Sequence, residues 1–81
     1  MQITAALSKA SRAMLGWKSL DLSERSGVPH DTIRAFESGR TKSMTTMNEK
    51  AILQTFEAGG LSFITENGGG AGVRLAKPAG E

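Results

Sequence analysis

The sequence has no cysteine and a single histidine, His30. A disulfide scaffold and a thiolate zinc site are therefore excluded, and one imidazole leaves little with which to hold a transition metal. No cofactor and no small-molecule ligand are expected. No apolar run approaches the roughly 20 residues of a membrane span. The stretch Met1–Lys9 lacks the basic region and continuous apolar block of a secretory signal. A cytoplasmic protein without membrane contact is the expectation.

What is present is enough for one compact unit. The 81 residues are 38% hydrophobic, too apolar for a disordered tail. A core of this size closes only around 60% of the unfolded surface, and oligomerisation is a common remedy. Net charge is +2, unevenly spread. Through Thr45 there are seven basic residues against four acids; the remainder has three against four. The basic N-terminal half points towards phosphate.

Periodicity and punctuation predict four helices. The first spans about Ala5–Leu15, capped by Thr4 and ended by Gly16, with Ile3, Leu7, Ala10 and Met14 as its apolar stripe. The second spans about Leu20–Ser26, with Ser19 as N-cap, Asp21 in the first turn and Gly27 as stop. The third runs from Pro29 or His30 to Ser38, with Ile33 and Phe36 facing inward and Gly39 ending it. The fourth spans about Met47–Ala58. Thr46-Met47-Asn48-Glu49 reads as its capping box, and Met47, Ala51, Ile52 and Phe56 as its buried face.

After Gly59-Gly60 the character changes. Leu61–Thr65 and Val73–Leu75 are short apolar runs around the Asn67–Gly72 loop, which predicts a β-hairpin. Residues 77–81 read as a tail. The expected organisation is a helical domain over 1–60 and a hairpin over 61–76.

The centre of the chain carries the sharpest pattern. Only Gly27, Val28 and Pro29 separate the second and third helices. Two short helices joined by such a turn have the geometry of a DNA-binding helix-turn-helix, here over about 19–39; an ordinary helical hairpin is the plainer alternative. The turn needs a residue that accepts positive φ, which Gly27 does. Close approach of the helices needs a small residue four positions earlier, and Ser23 stands there. Leu22, Val28, Ile33 and Phe36 supply an apolar wedge.

The stretch Leu15–Thr41 resembles the XRE-type (Cro/phage-repressor-like) helix-turn-helix family, whose usual pattern is Gly-x-(Ser/Thr)-Gln-x-x-Leu-Ala-x-x-x-Gly-Val-(Ser/Pro)-x-x-Thr-Ile-x-x-(Phe/Ile/Leu)-Glu-x-Gly. A looser likeness to short bacterial and phage-like members covers Leu-Ser-Phe-Ile-Thr-Glu-Asn-Gly-Gly-Gly-Ala-Gly-Val-Arg-Leu. The chain departs from the pattern before Leu22, where it has no glutamine, and at Ser23, in the place of alanine. The resemblance implies a mainly α, four-helix, lambda-repressor-like domain followed by the hairpin. It implies that the third helix enters the major groove while the second crosses the backbone. His30, Asp31, Thr32, Arg34 and Ala35 become the base-reading set. Arg34 suits guanine or phosphate, Asp31 a cytosine amine, and Ala35 a thymine methyl. Lys18, Ser19, Ser38, Arg40 and Lys42 become phosphate contacts. Arg12 and Glu37 are implied to pair and brace the third helix, with a direct phosphate contact as the competing role for Arg12.

Other features read as structural. The glycine-rich 68–72 stretch lacks the Gly-Lys-(Ser/Thr) ending of a phosphate loop. Trp17 reads as a lid on the core, and Met44 and Met47 as core or hinge filling. His30 has two readings, a group titrating near neutral pH and a neutral groove-facing side chain. No nucleophile pairs with the only histidine, so no enzyme is expected.

The expected partners are double-stranded operator DNA and a second copy of the chain, because one such unit buries little surface alone. Phe56, Leu61, Phe63, Val73 and Leu75 are the expected dimer contacts, since a lone hairpin needs its edges covered. The competing reading is a protein-interaction module of antiactivator or antitoxin type. It draws on the modest charge, on Asp31 and on the apolar hairpin.

Overall fold

The computed structural model describes residues 2–64 and 70–76. Among them, four helices are followed by a two-stranded antiparallel hairpin. The order is α1 (Ala5–Leu15), α2 (Ser19–Ser26), α3 (His30–Glu37), α4 (Thr46–Ala58), β1 (Leu61–Ile64) and β2 (Gly72–Leu75). None of these helices is long and apolar enough to cross a membrane. Residues 65–69, which take in the end of the first expected strand run and the start of the expected loop, and the tail 77–81 lie outside the described residues.

The core is assembled from four of the six elements and from two of the segments that join or precede them. Ile3 comes from the segment before α1, Leu22 from α2, Val28 from the turn, Ile33 and Phe36 from α3, Ile52 and Phe56 from α4, and Leu61 from β1. All are fully or nearly fully buried, and side chains of this size gain roughly 1.5–3 kcal/mol each from leaving water. The α2–α3 wedge is thus formed by the four residues the sequence indicated.

Helix α1 departs from expectation. Thr4 caps it, its hydroxyl accepting from the Leu7 N–H at 3.1 Å. Its buried residues, however, are Ser8 and Ser11; Ala10 and Met14 face solvent. Of the expected stripe, Ile3 is buried and Leu7 packs against the core, so the stripe holds at its start and fails at Ala10 and Met14. Ser8 is satisfied, because its hydroxyl donates to the Glu37 carboxylate. Ser11 is not. Its Oγ is fully buried and has no hydrogen-bond partner among the described residues. Replacing an unsatisfied buried hydroxyl with a methyl removes its desolvation cost. Alanine is also the better helix former. Ser11→Ala is therefore expected to stabilise the fold by about 1 kcal/mol, raising Tm by roughly 4–8 °C in a thermal melt.

Two helix starts are shifted by one residue. Helix α2 begins at Ser19 with Lys18 as its N-cap. Lysine has no acceptor to cap with. The Asp21 carboxylate instead reaches back to accept the Lys18 N–H at 2.8 Å, which holds the first turn from the other side. Ser19 thus occupies the first helical position, where the sequence placed Leu20. Helix α4 is capped by Thr45, whose hydroxyl accepts from Asn48 N–H at 3.2 Å. Glu49 takes no part in a capping box there. Its carboxylate accepts the Ile3 N–H at 2.8 Å and clasps the chain before α1 onto α4. Met47, expected to be buried, is 80% exposed.

The hairpin pairs Leu61 with Leu75, Ser62 with Arg74, Phe63 with Val73 and Ile64 with Gly72. β1 packs on α4 and β2 on α1. Phe63 meets Phe56 at a centroid distance of 6.1 Å, and Trp17 stacks on the same Phe56 ring at 5.9 Å. Arg25 lies over Trp17, its guanidinium carbon 4.6 Å from the ring centroid. Gly59 closes this corner for reasons of space. A Cβ there would lie 2.9 Å from Leu15 Cδ1 and 3.2 Å from the Trp17 ring.

Candidate nucleic-acid interface

The site is positioned by the turn between α2 and α3. Gly27 adopts φ +78°, a left-handed conformation that other residues reach only at a cost. Its N–H donates to the Ser23 carbonyl at 2.9 Å. Ser23 does more than leave room, because its hydroxyl donates to the Val28 carbonyl at 2.7 Å and ties α2 across the turn. The Val28 N–H in turn donates to Ser26 Oγ at 3.1 Å. Pro29 is the N-cap residue of α3, one place before the first helical position expected for it. Its carbonyl accepts from Thr32 and Ile33.

Ile33, Phe36 and Glu37 form the buried side of α3. Helical spacing of about 100° per residue then leaves Asp31, Arg34 and Ala35 on the opposite side. Asp31 and Arg34 are exposed and Ala35 is half-buried; His30 and Thr32 flank them, also half-buried. Arg40 and Lys42, just beyond α3, are exposed, as is Lys18 before α2. Over residues 30–45 the outward charge is three cations (Arg34, Arg40, Lys42) against the single carboxylate of Asp31, because Glu37 is turned inward.

Glu37 is held from two sides. Arg12 grips it in a two-pronged pair, Nη2 to Oε1 at 2.7 Å and Nε to Oε2 at 3.1 Å. Ser8 adds a hydroxyl donor. The remaining Arg12 nitrogen donates to the Trp17 carbonyl at 3.2 Å. This geometry makes Arg12 and Glu37 a brace between α1 and α3. With all three of its nitrogens engaged inside the chain, Arg12 is committed to that role.

Several expected site residues have further engagements. Ser19 Oγ lies 2.8 Å from His30 Nε2, so the first residues of α2 and α3 are joined. The Ser38 hydroxyl donates to the Ala35 carbonyl at 3.1 Å, which spends the proton a phosphate contact needs. A hollow of about 470 Å³ separates the outward side of α3 from the start of α4, with Asp31, Thr32, Ala35 and Arg40 on one wall and Met44 and Asn48 on the other. Met44 and Asn48 were not among the sequence-derived site residues. They reach this place only through the fold of the 38–45 loop, which has no periodic signal.

The expected dimer contacts need correction. Phe56 and Leu61 are closed into the core of the single chain and have no surface to offer. Phe63 and Val73 are half-buried against that core. Only Leu75 of the five is exposed; Ile64, not among them, is exposed at the other end of the hairpin. Hydrophobicity alone does not distinguish a residue that closes a core from one that joins two copies. Among the described residues, no group of three or more His, Asp or Glu side chains is arranged to hold a metal.

The chain matches no family model, and no curated protein matches it in sequence.

Proposed function

We propose that this chain is a sequence-specific DNA-binding transcriptional regulator with a lambda-repressor-like helix-turn-helix. In this reading α3 enters the major groove, and α2 crosses the phosphate backbone. The observation that carries it is the outward side of α3. A short helix, braced from behind by Arg12 and Glu37, presents Asp31, Arg34 and Ala35 between the cations Lys18, Arg40 and Lys42. The resemblance of Leu15–Thr41 to XRE-type regulators supports the same conclusion. Two copies bind a two-fold-symmetric operator, joined through the hairpin, where Leu75 is exposed.

Selection of bound duplexes from a random library tests this directly. The expected product is a two-fold-symmetric site with half-sites about one helical turn apart, bound less tightly as salt rises. Arg34→Ala is expected to relax preference at one position by about 1–3 kcal/mol, and Lys42→Ala to weaken all sequences alike. Failure to enrich any duplex over random DNA at moderate salt overturns the proposal.

A protein partner is the second reading, favoured by the carboxylate of Asp31 in the centre of the presented surface. Binding to a protein that survives neutralisation of Arg34, Arg40 and Lys42 would select it.

A further inference from the structure

A hollow of about 550 Å³ lies between the end of α2 and the side of α4, with Trp17 in its wall. No residue of α3 lines it. The size falls in the range of about 300–1,000 Å³ usual for small-molecule sites. Arg25 is the only charged residue in the wall among the described residues, so no carboxylate lines the hollow there. From this arrangement we propose that the hollow binds a small organic carboxylate, with its acid group on Arg25 and its apolar body against Trp17 and Ala51. The site is apart from the surface proposed to meet DNA, and its test does not depend on that reading.

The guanidinium is held in place without spending its donors. Its central carbon lies 4.6 Å from the Trp17 ring centroid. Such a contact sets the charge against the ring electrons and leaves the N–H groups unused. Among the described residues, Arg25 has neither a carboxylate partner nor a side-chain hydrogen bond. Arg12 is the contrast, with all three nitrogens engaged inside the chain. Trp17 is fixed in turn, because the fully buried Phe56 ring stacks on it with the planes 20° apart. Arg25 therefore offers a positioned fork of donors, and that fork matches the two oxygens of a carboxylate.

The rest of the wall suits an uncharged body. Ala51, Ala58 and Gly59 leave space because they are small. Gly59 has no room for a side chain of its own, since a Cβ there would press on Leu15 and on Trp17. Thr55 spends its hydroxyl proton on the Ala51 carbonyl at 2.8 Å. Ser26 Oγ accepts the Val28 N–H at 3.1 Å and keeps its own proton to give. The Gln54 amide is exposed and brings both a donor and an acceptor. A mostly apolar wall with a few polar groups is the usual make-up of a small-molecule site.

The hollow adjoins two supports of α3. The Trp17 carbonyl accepts from Arg12 at 3.2 Å, which ties the wall to the Arg12–Glu37 brace. Arg25 and Ser26 end α2 immediately before the Gly27 turn. A ligand in the hollow lies against both and leaves the outward side of α3 clear.

The probe is sodium benzoate, with benzamide as a neutral molecule of the same shape. Binding is followed by two-dimensional proton–nitrogen NMR at constant ionic strength, which reads the Trp17 indole and the Arg25 side-chain N–H directly. Benzoate is expected to shift these signals, and those of Ser26 and Gln54, along a saturating curve with a Kd of about 1 mM. Benzamide is expected to bind about tenfold more weakly. Arg25→Gln is expected to lose about tenfold in affinity for benzoate and to leave benzamide unchanged. Ala51→Leu fills the hollow while keeping Arg25, and is expected to abolish binding of both. Circular dichroism checks that the two variants are folded. No saturable shift by about 20 mM benzoate overturns the site. Equal affinity for benzoate and benzamide, or full benzoate affinity in Arg25→Gln, overturns the assignment of a carboxylate to Arg25. Shifts gathered at Arg34, Arg40 and Lys42, or binding that survives in Ala51→Leu, place the anion on exposed cations elsewhere and overturn the hollow as its site.

Discussion

Glu37→Ala is expected to cost about 3–5 kcal/mol of folding stability, as losing one partner of a buried ion pair does. A domain of this size has roughly 4–12 kcal/mol in all, so a large part of the population unfolds or sits near the transition. The reason lies in what is left behind. The side chain of Glu37 is 7% exposed and that of Arg12 20%. Without the carboxylate, Arg12 keeps a half-buried charge with only the Trp17 carbonyl to serve, and the buried Ser8 hydroxyl loses its acceptor. Urea unfolding followed by far-ultraviolet circular dichroism measures the loss. Removing the charges together, as Arg12→Met with Glu37→Met, is expected to recover most of it, since apolar pairs of similar volume replace buried ion pairs at little cost. Recovery would separate the fold's need for a filled space from its need for charge. A loss below about 1 kcal/mol in Glu37→Ala, the range of an exposed pair, would remove the brace from the account.

The second large effect is at Phe56. This ring is fully buried between Trp17 and Phe63. Phe56→Ala is expected to cost about 3–5 kcal/mol, the sum of lost transfer energy and the cavity left behind. Because the ring belongs to the core of one chain, the loss is expected to be the same at low and high protein concentration. A dimer contact behaves differently, since mass action makes its contribution depend on concentration. The measurement is a thermal melt over a hundredfold range of protein concentration. Trp17, the only tryptophan, reports the same corner by fluorescence. A loss that disappears in dilute solution would return Phe56 to an interface.

The sequence made some of this plain and hid the rest for identifiable reasons. Elements with one strong signal were legible: the Gly27 turn, the Leu22–Val28–Ile33–Phe36 wedge, the hairpin pairing, and the Arg12–Glu37 brace through family resemblance. Helix α1 was read correctly in its bounds and at Ile3 and Leu7 but not at Ala10 and Met14, because periodicity counts apolar residues. The face it buries is Ser8 and Ser11, chosen for small size and, at Ser8, for a donor to Glu37. Both shifted caps share a cause. Ser19 and Thr46 look like caps by residue type, but a cap is decided by which oxygen reaches the next turn. Thr45 does so at α4, whereas at α2 no side chain does and Asp21 reaches back to the Lys18 N–H. Glu49 had a local role on paper and a distant one in space, because the Ile3 N–H competes for the same carboxylate. The site was half legible for a related reason. Residue types on α3 are visible in a line of text, whereas the Ser19–His30 contact depends on how two helices cross.

The clasp between Ile3 and Glu49 also bears on the order in which the chain closes. The Ser23–Val28 tie spans five positions, the Arg12–Glu37 brace 25, and the clasp 46. Loop closure costs roughly 0.6 kcal/mol more for each doubling of length, before any counting of the structure between. The α2–turn–α3 unit is therefore the cheapest to assemble, α1 swings onto it next, and the clasp is fastened last. On a ribosome, which delivers the amino end first, Ile3 must wait for Glu49 to emerge before its N–H finds an acceptor. The surface proposed to meet DNA belongs to the part that can form early, and the carboxylate that fixes the start of the chain to α4 acts as a latch on a unit already built.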